Sequence, residues 1–112
     1  MKLILPSILA AALAAEAHAQ ASSDATPDGK ALFVEKCAMC HRERGMGTGL
    51  LARRMNPSIA ELENRTDLQP AYVVRAARGG IGNMPRISRA EVSDPQLSAI
   101  AAYLAKTAKA AP

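Results

Sequence analysis

Aromatic residues are almost absent from this chain, which contains Phe33, Tyr72, Tyr103 and no tryptophan. Its apolar content is mostly Ala, Leu, Ile, Val and Met, so a single small domain built from it has a thin core. The lack of aromatic stacking platforms, together with a modest net charge of +4, argues against nucleic-acid binding. The core thus lacks a large flat apolar body.

One long apolar run is present, and it lies at the N-terminus. Residues 3–15 are apolar apart from Ser7, follow the positively charged start Met1-Lys2 and precede the small-residue cleavage pattern Ala17-His18-Ala19. The run is shorter than the ~20 residues that span a bilayer, so we expect no stable membrane insertion. The pattern predicts a secretory signal peptide over residues 1–19 that is cleaved on export, and hence a periplasmic protein.

The rest of the chain is short enough to form one domain. We expect a flexible leader over residues 20–25, a helical domain over residues 26–107 and a frayed, Ala-rich tail over residues 108–112. Every Arg lies between Arg42 and Arg89, a stretch that contains no Lys. Arg suits bidentate carboxylate binding and protein interfaces, but for most of these residues we expect a solvated basic face, with one or two of them making specific contacts.

Two cysteines are present, and their spacing is the most informative pattern in the chain. Cys37 and Cys40 are separated by two residues and His41 follows at once, which is the attachment pattern of a c-type haem. On one helical turn both sulfurs face the same side, close enough to bond the two vinyl groups of one porphyrin. The adjacent imidazole can then bind the iron. The sequence therefore predicts one covalently attached haem c.

Three other interpretations of the cysteine pair are weaker. A thiol–disulfide centre requires a strand–loop–helix context, whereas the residues before Cys37 have a helical pattern. A zinc site requires further Cys or His, and the other histidine, His18, lies in the predicted signal peptide. A disulfide across two intervening residues closes a very small loop and stabilises little.

Capping patterns and periodicity predict helices and loops, with no convincing strand. Thr26 is the expected N-cap of a first helix that continues through residues 30–36 into the cysteine motif. Residues 42–57 are expected to be irregular because glycines recur there. The pair Asn56-Pro57 then predicts a short helix over residues 58–64.

The second half of the chain contains two capping-box patterns. The first begins at Thr66 and precedes a helix predicted over residues 71–78, which Gly79-Gly80 should end. Residues 79–92 are expected to form a loop. The second box begins at Ser93 and starts the clearest helix, which has an apolar stripe at helical spacing. The stripe consists of Leu97, Ile100, Ala101 and Leu104.

After the signal peptide, the chain resembles a class I, single-haem c-type cytochrome over essentially its whole length. The likeness rests on residues 37–41, on the Met84-Pro85 loop and on the last helix. In that family a glycine and an aromatic residue four positions apart on the first helix pack against an aromatic residue on the last. Gly29, Phe33 and Tyr103 match those positions. The resemblance implies an all-α, cytochrome c-like fold with three to four helices around the haem.

The family's Met-Pro loop implies that Met84 is the second axial ligand of the iron, beside His41. The proline that follows Met84 disfavours helix there and keeps the residue extended. Met46 and Met55 are the alternative ligands, whereas Met39 lies between the two cysteines and is tethered away from the distal face. A thioether opposite histidine favours ferrous iron and raises the potential, as in electron-transfer cytochromes.

Arginines are the candidates for contacts with the haem propionates or with a protein partner, and by position these are Arg53, Arg54 and Arg86. An iron-bound histidine usually donates its other ring N–H to an acceptor. In the family a proline carbonyl in the following loop often accepts this bond, but the chain has no proline between His41 and Pro57. We expect the backbone of residues 49–51 to accept it instead.

These features predict an electron-transfer protein rather than an enzyme, although it can serve as a subunit of an oxidoreductase complex. Its partners are expected to be redox proteins: a dehydrogenase that donates electrons, and a terminal oxidase or another cytochrome that accepts them. In size and in its Arg-rich middle, the chain also resembles cytochrome subunits of periplasmic flavin- or quinone-cofactor dehydrogenases. A haem sensor or small catalytic haem protein with a displaceable sixth ligand is the alternative, and a thiol–disulfide oxidoreductase is less favoured.

Overall fold

The computed structural model describes residues 27–110, which form five α-helices and two short 3-10 turns. The predicted signal peptide and leader lie outside the described residues, as do residues 111–112. In chain order the elements are α1 (Gly29–Lys36), α2 (Ala38–His41), α3 (Met46–Leu51), the 3-10 turns Pro57–Ile59 and Leu62–Asn64, α4 (Pro70–Gly79) and α5 (Asp94–Ala110). Extended pairing in this part of the chain is one isolated bridge, Ile81 to Met84, so the predicted all-α class is confirmed.

The first helix begins later than the sequence predicts. Asp28 is its N-cap, and the carboxylate accepts hydrogen bonds from the backbone amides of Lys30 at 2.9 Å and Ala31 at 3.3 Å. The prediction of Thr26 as the cap is therefore wrong, because an aspartate closer to the helix satisfies the free amides of the first turn. The helix also ends before the cysteine motif, since the backbone at Cys37 (φ −125°, ψ −29°) leaves the helical conformation.

Residues 46–51 form helix α3, so the prediction of irregular structure over residues 42–57 is wrong for this segment. Two glycines bring α3 against the cysteine motif. A Cβ added to Gly45 would overlap the carbonyl group of Cys40, and one added to Gly47 would lie 2.7 Å from the same carbonyl oxygen. Because glycine has a poor helix propensity, this close packing, and not local preference, accounts for the helix.

Two 3-10 turns replace the single short helix predicted over residues 58–64. The predicted start is confirmed, since the Asn56 side chain accepts a hydrogen bond from the Ser58 amide at 3.1 Å and Pro57 is the first residue of the turn. The second turn contacts α5 and places Glu63 beside that helix.

Helix α4 begins at Pro70 and does not use the capping box predicted from Thr66. Its N-cap, Gln69, makes no capping bond with its side chain, and the carboxylate of Asp67 binds the Arg65 guanidinium at 2.6 Å and 2.8 Å. The predicted stop is confirmed. Gly80 adopts a φ of 73°, a left-handed backbone conformation that glycine reaches without strain.

The capping box at Ser93 is confirmed. The Ser93 amide donates to the Gln96 side chain at 2.9 Å, and the Gln96 amide donates to the Ser93 hydroxyl at 3.4 Å. The apolar stripe of α5 is buried as predicted. The helix continues to Ala110, inside the segment that we expected to fray. Across the described residues, none of the helices is both long and apolar enough to cross a bilayer.

Helices α1 and α5 cross at Gly29. A Cβ on this residue would overlap the backbone carbonyl of Ala99, so only glycine lets the two helices approach this closely. Next to the crossing, the ring of Phe33 is fully buried and its centroid lies 6.0 Å from that of Tyr103. The packing expected of these three positions is confirmed. The buried cluster around them consists of Phe33, Leu68, Ala77, Val92, Leu97, Ile100 and Leu104.

Candidate functional site

An apolar cavity of about 210 Å³ lies between the helices. A single water molecule needs only about 10–15 Å³ of such space, and protein interiors rarely contain voids larger than a water. The described fold therefore leaves room for a large apolar ligand. The apolar part of the wall comes from α1, α3, α4, α5 and the segments between them, and it includes Phe33, Leu50, Leu51, Leu62, Leu68, Val73, Leu97, Ile100 and Leu104.

The cysteine motif lies at the edge of this cavity. Cys37 lines the cavity itself, and Cys40 lines a smaller recess of about 70 Å³ that shares His41 and Met84 with it. The amides of Cys40 and His41 both donate to the Cys37 carbonyl, each at 3.1 Å, so the three residues occupy one turn of backbone. Both thiols are unbridged. This is the arrangement that two thioether bonds to one ligand require.

His41 is half-buried, and its desolvation lowers the pKa of the imidazole below its usual range. The ring is therefore neutral at pH 7, which is the protonation state that binds a metal. Its Nδ1 atom is buried and has no hydrogen-bond partner among the described residues. Gly47 packs closely against the ring: a Cβ added there would lie 3.0 Å from Cε1 and 3.2 Å from Nδ1.

The prediction that residues 49–51 accept a hydrogen bond from His41 is therefore wrong. Helix α3 explains the difference. The amide of Gly49 donates to the Gly45 carbonyl, and the carbonyl of Leu51 accepts from the amides of Arg54 at 2.8 Å and Met55 at 3.0 Å. The Leu51 carbonyl therefore bonds along the chain and not to the imidazole.

Met84 is half-buried and lines both the cavity and the recess, as His41 does. Its position comes from a tight turn in which Ile81 and Met84 exchange backbone hydrogen bonds of 3.2 Å and 2.9 Å. Among the described residues, no other methionine lines the main cavity. Met46 lines only the recess and is 65% exposed, Met39 is 88% exposed, and Met55 lines neither space. The structure thus brings together the two residues predicted as iron ligands.

The three candidate arginines occupy different places. Arg54 lines the cavity, whereas Arg53 is exposed and does not, and the Arg86 guanidinium donates to the Gly79 carbonyl at 3.3 Å. A fourth arginine, Arg65, also lines the cavity and was missed by the sequence analysis. Arg54 and Arg65 are therefore the cations closest to any ligand in this space.

A polar cluster beside the cavity was also missed. The Glu63 carboxylate accepts hydrogen bonds from Arg42 Nε at 2.6 Å and Nη2 at 2.8 Å, and from the Tyr103 hydroxyl at 2.5 Å. The Arg42 guanidinium also lies 5.8 Å from the centroid of the Phe33 ring, within the range of a cation–π contact. These partners are 21 and 40 residues apart in sequence, so no local pattern could reveal them.

This Arg42–Glu63–Tyr103 cluster holds Arg42, the residue directly after His41, in place. The hydrogen bonds from Arg42 hold the pKa of the Glu63 carboxyl below its usual range, so the carboxylate is charged at neutral pH. Burial, and then the hydrogen bond to Glu63, raise the pKa of the Tyr103 hydroxyl, which therefore stays protonated as a donor. The backbone beside the imidazole is thereby tied to α5.

Cys37 does not have the lowered pKa of a nucleophilic thiol. Burial raises the pKa of the Cys37 thiol, and the neighbouring Cys40 raises it further. A reactive cysteine in such a motif requires a lowered pKa instead. The residues present do fit a haem c: two thiols on one turn, a neutral imidazole beside them, a thioether on the same cavity, and an apolar wall.

The comparison with known protein families agrees with this fit. The family described as cytochrome C oxidase, cbb3-type, subunit III has a model that matches residues 24–104 of the chain. The match spans the cysteine motif, the cavity wall and the Met84 turn. No curated protein and no solved structure matches the chain.

Proposed function

Because the chain belongs to the family of cytochrome c oxidase, cbb3-type, subunit III, and is thus a c-type cytochrome, we propose that it carries single electrons through one haem c with His41 and Met84 as iron ligands. The observation that carries this proposal is the shared wall on which Cys37, His41 and Met84 lie. The bound haem supplies the chemistry, a reversible one-electron change at its iron. The protein supplies ligands, burial and a path to partners.

Each residue of the wall has a distinct task in this proposal. Cys37 and Cys40 form thioether bonds that prevent the haem from dissociating. His41 is neutral because of its burial, and it provides the nitrogen ligand. Met84 provides a sulfur ligand that stabilises the ferrous form, and the apolar lining excludes water, which acts in the same direction. With both His41 and Met84 as iron ligands, such a site would suit electron transfer without a change in ligation.

We place this activity in the periplasm, on the basis of the signal-peptide pattern in residues 1–19. Electron exchange then takes place by brief docking with redox proteins, which needs only a small interface. Two exposed hydrophobic side chains lie where such a partner could dock: Met46 lines the recess, and Ile81 lines the cavity. The family description favours a terminal oxidase, or a cytochrome associated with one, as the acceptor. A periplasmic flavin- or quinone-cofactor dehydrogenase is the proposed donor.

The first experiment is the mass and optical spectrum of the protein purified after export. We expect the mass of residues 20–112 plus one haem, a low-spin spectrum in the ferrous form and a methionine-to-iron band in the ferric form. A colourless protein with the mass of the bare polypeptide contradicts the proposal. Rapid carbon monoxide binding at neutral pH would instead favour the sensor or catalytic alternative, in which the sixth ligand is displaceable.

The ligand assignment has a matched pair of variants. Met84→Ala should keep the covalent haem but lose the methionine-to-iron band, lower the potential and bind carbon monoxide quickly. Met55→Ala removes a methionine that lies away from the cavity and should keep the wild-type spectrum. The assignment of Met84 is wrong if the two variants exchange these properties.

A further inference from the structure

Arg78 connects three separate parts of the chain through one side chain. It lies in the last turn of α4, and its guanidinium donates to the backbone carbonyls of Ile87 and Val92, each at 2.9 Å. It also donates to the Asp94 carboxylate at 2.7 Å. Ile87 and Val92 belong to the loop that carries Met84, and Asp94 is the first residue of α5.

The Arg78 guanidinium is largely shielded from water. Its side chain is only 17% exposed, and its Nε atom is buried. An exposed ion pair contributes little to stability, but hydrogen bonds from a charged donor to carbonyl groups shielded from water are stronger than those from a neutral donor. These hydrogen bonds therefore stabilise the observed positions of the Ile87 and Val92 carbonyls.

Ile87 and Val92 also pack against the buried core, but the loop makes few other hydrogen bonds to α4. The Ile87 amide donates to the Ala77 carbonyl at 2.8 Å, and the exposed Arg86 makes a longer bond, 3.3 Å, to Gly79. On the N-terminal side of Met84, two backbone hydrogen bonds between Ile81 and Met84 close the tight turn, and Gly80 and Gly82 adopt positive φ angles. Arg78 thus fixes the C-terminal side of the same turn.

We propose that Arg78 is a positioning residue that locks the Met84 loop against α4 and α5, and so keeps the Met84 sulfur at the cavity. This inference rests on the proposed function, in which Met84 is the iron ligand. Without the guanidinium, the loop opens locally more often while the α1–α5 crossing stays intact. The frequency with which the sulfur leaves the iron then rises, although Arg78 itself lines neither the cavity nor the recess.

The matched control is Arg89. Its Nε donates to the same Asp94 carboxylate at 2.8 Å, but its side chain is 73% exposed, and the only hydrogen bonds it makes in the described structure go to that carboxylate. Arg89→Gln therefore removes a charge and an Asp94 contact without freeing the loop carbonyls. Arg78→Gln removes all three contacts, and Arg78→Lys keeps the charge with fewer donors.

Native-state hydrogen exchange on the holo-protein measures loop opening directly. The Ile87 amide reports on the loop, and the Cys37 amide, which donates to Phe33 at 2.9 Å, reports on α1. We expect Arg78→Gln to accelerate exchange at Ile87 by about 10- to 100-fold relative to Arg89→Gln, with little change at Cys37. Carbon monoxide binding to the ferrous protein should accelerate in parallel, because ligand exchange requires the loop to open.

The inference is overturned if Arg78→Gln and Arg89→Gln show equal exchange at Ile87 and equal carbon monoxide rates. It is also overturned if exchange at Cys37 rises as much as at Ile87, since Arg78 would then support the whole fold. Should Arg78→Gln not accumulate, Arg78→Lys, which keeps the charge but has fewer donors for the two loop carbonyls, provides the same comparison with Arg89→Gln. A wild-type spectrum without a methionine band refutes the proposed ligand, whereas the exchange at Ile87 still tests the loop contact.

Discussion

The Arg42–Glu63–Tyr103 cluster should contribute measurably to stability, and Glu63→Gln is the substitution that tests it. The variant keeps the size of the side chain and one hydrogen-bond acceptor for Tyr103, but removes the charge that binds Arg42. Glu63 is 18% exposed and Arg42 is 37% exposed. The pair is thus intermediate between an exposed ion pair, worth about 0.2–1 kcal/mol, and a buried one, whose loss costs about 3–5 kcal/mol. We expect a loss of about 2 kcal/mol.

For a domain of this size, a loss of about 2 kcal/mol corresponds to a fall in the melting temperature of about 8–16 °C. The assay is thermal unfolding of the holo-protein at pH 7, followed by circular dichroism. Glu61→Gln is the control, because it makes the same charge change two residues away, where the structure gives the carboxylate no hydrogen bond. The reasoning is refuted if the two variants melt within about 2 °C of each other.

The same variant has a defined pH dependence. The pKa of Glu63 is lower in the folded chain than its usual value of about 4.3. Its stabilising effect is therefore complete above pH 4.3 and is lost as the pH falls through the lower, folded value. The difference in melting temperature between wild type and Glu63→Gln should be full at pH 7 and should shrink below about pH 4. A difference that grows in acid would contradict the assignment of the charged form.

Three further predictions concern packing and the cofactor. Gly29→Ala should lower the free energy of unfolding, measured in urea, by about 3 kcal/mol or more because the added Cβ overlaps α5. The control Gly49→Ala has open space around its Cβ, so its free energy of unfolding should be unchanged or rise by up to about 1 kcal/mol. Gly80→Ala should cost about 1–2 kcal/mol by the same assay, since φ is 73° and its Cβ would lie 2.9 Å from the Met84 carbonyl oxygen. The double variant Cys37→Ala/Cys40→Ala should lose covalent haem and its cooperative thermal transition, because the empty cavity leaves the core underpacked; a sharp transition without haem would contradict this.

The features that the sequence predicts correctly are local or follow from one strong pattern. The Ser93 capping box and the apolar stripe of α5 are both set within a few residues, and Gly80 ends α4 because of its own backbone conformation. The cysteine motif is equally local. Gly29 is a different case, since its partner on α5 is distant and the family resemblance was needed to identify it.

The features that the sequence predicts wrongly have more than one cause. Helix α3 contains glycines that disfavour a helix, and it exists because Gly47 packs on the cysteine motif. The box at Thr66 is not used, since α4 begins at Pro70 and its N-cap, Gln69, makes no capping bond. The acceptor expected for His41 is also wrong, since Nδ1 has no hydrogen-bond partner among the described residues and the Leu51 carbonyl accepts from the amides of Arg54 and Met55. For α3, a tertiary contact outcompetes the local preference.

Two groups of side chains around the site have separable effects. Leu97, Ile100 and Leu104 belong both to the buried core and to the cavity wall, so a smaller residue at any of them weakens packing and also admits water to the ligand. Stability and redox potential should therefore change together for substitutions on this face of α5. Glu63 lines neither the cavity nor the recess, so its substitution should change stability with little change in potential. Helix α5 therefore has two roles: its apolar stripe lines the cavity, and its Tyr103 binds Glu63 in the Arg42–Glu63–Tyr103 cluster.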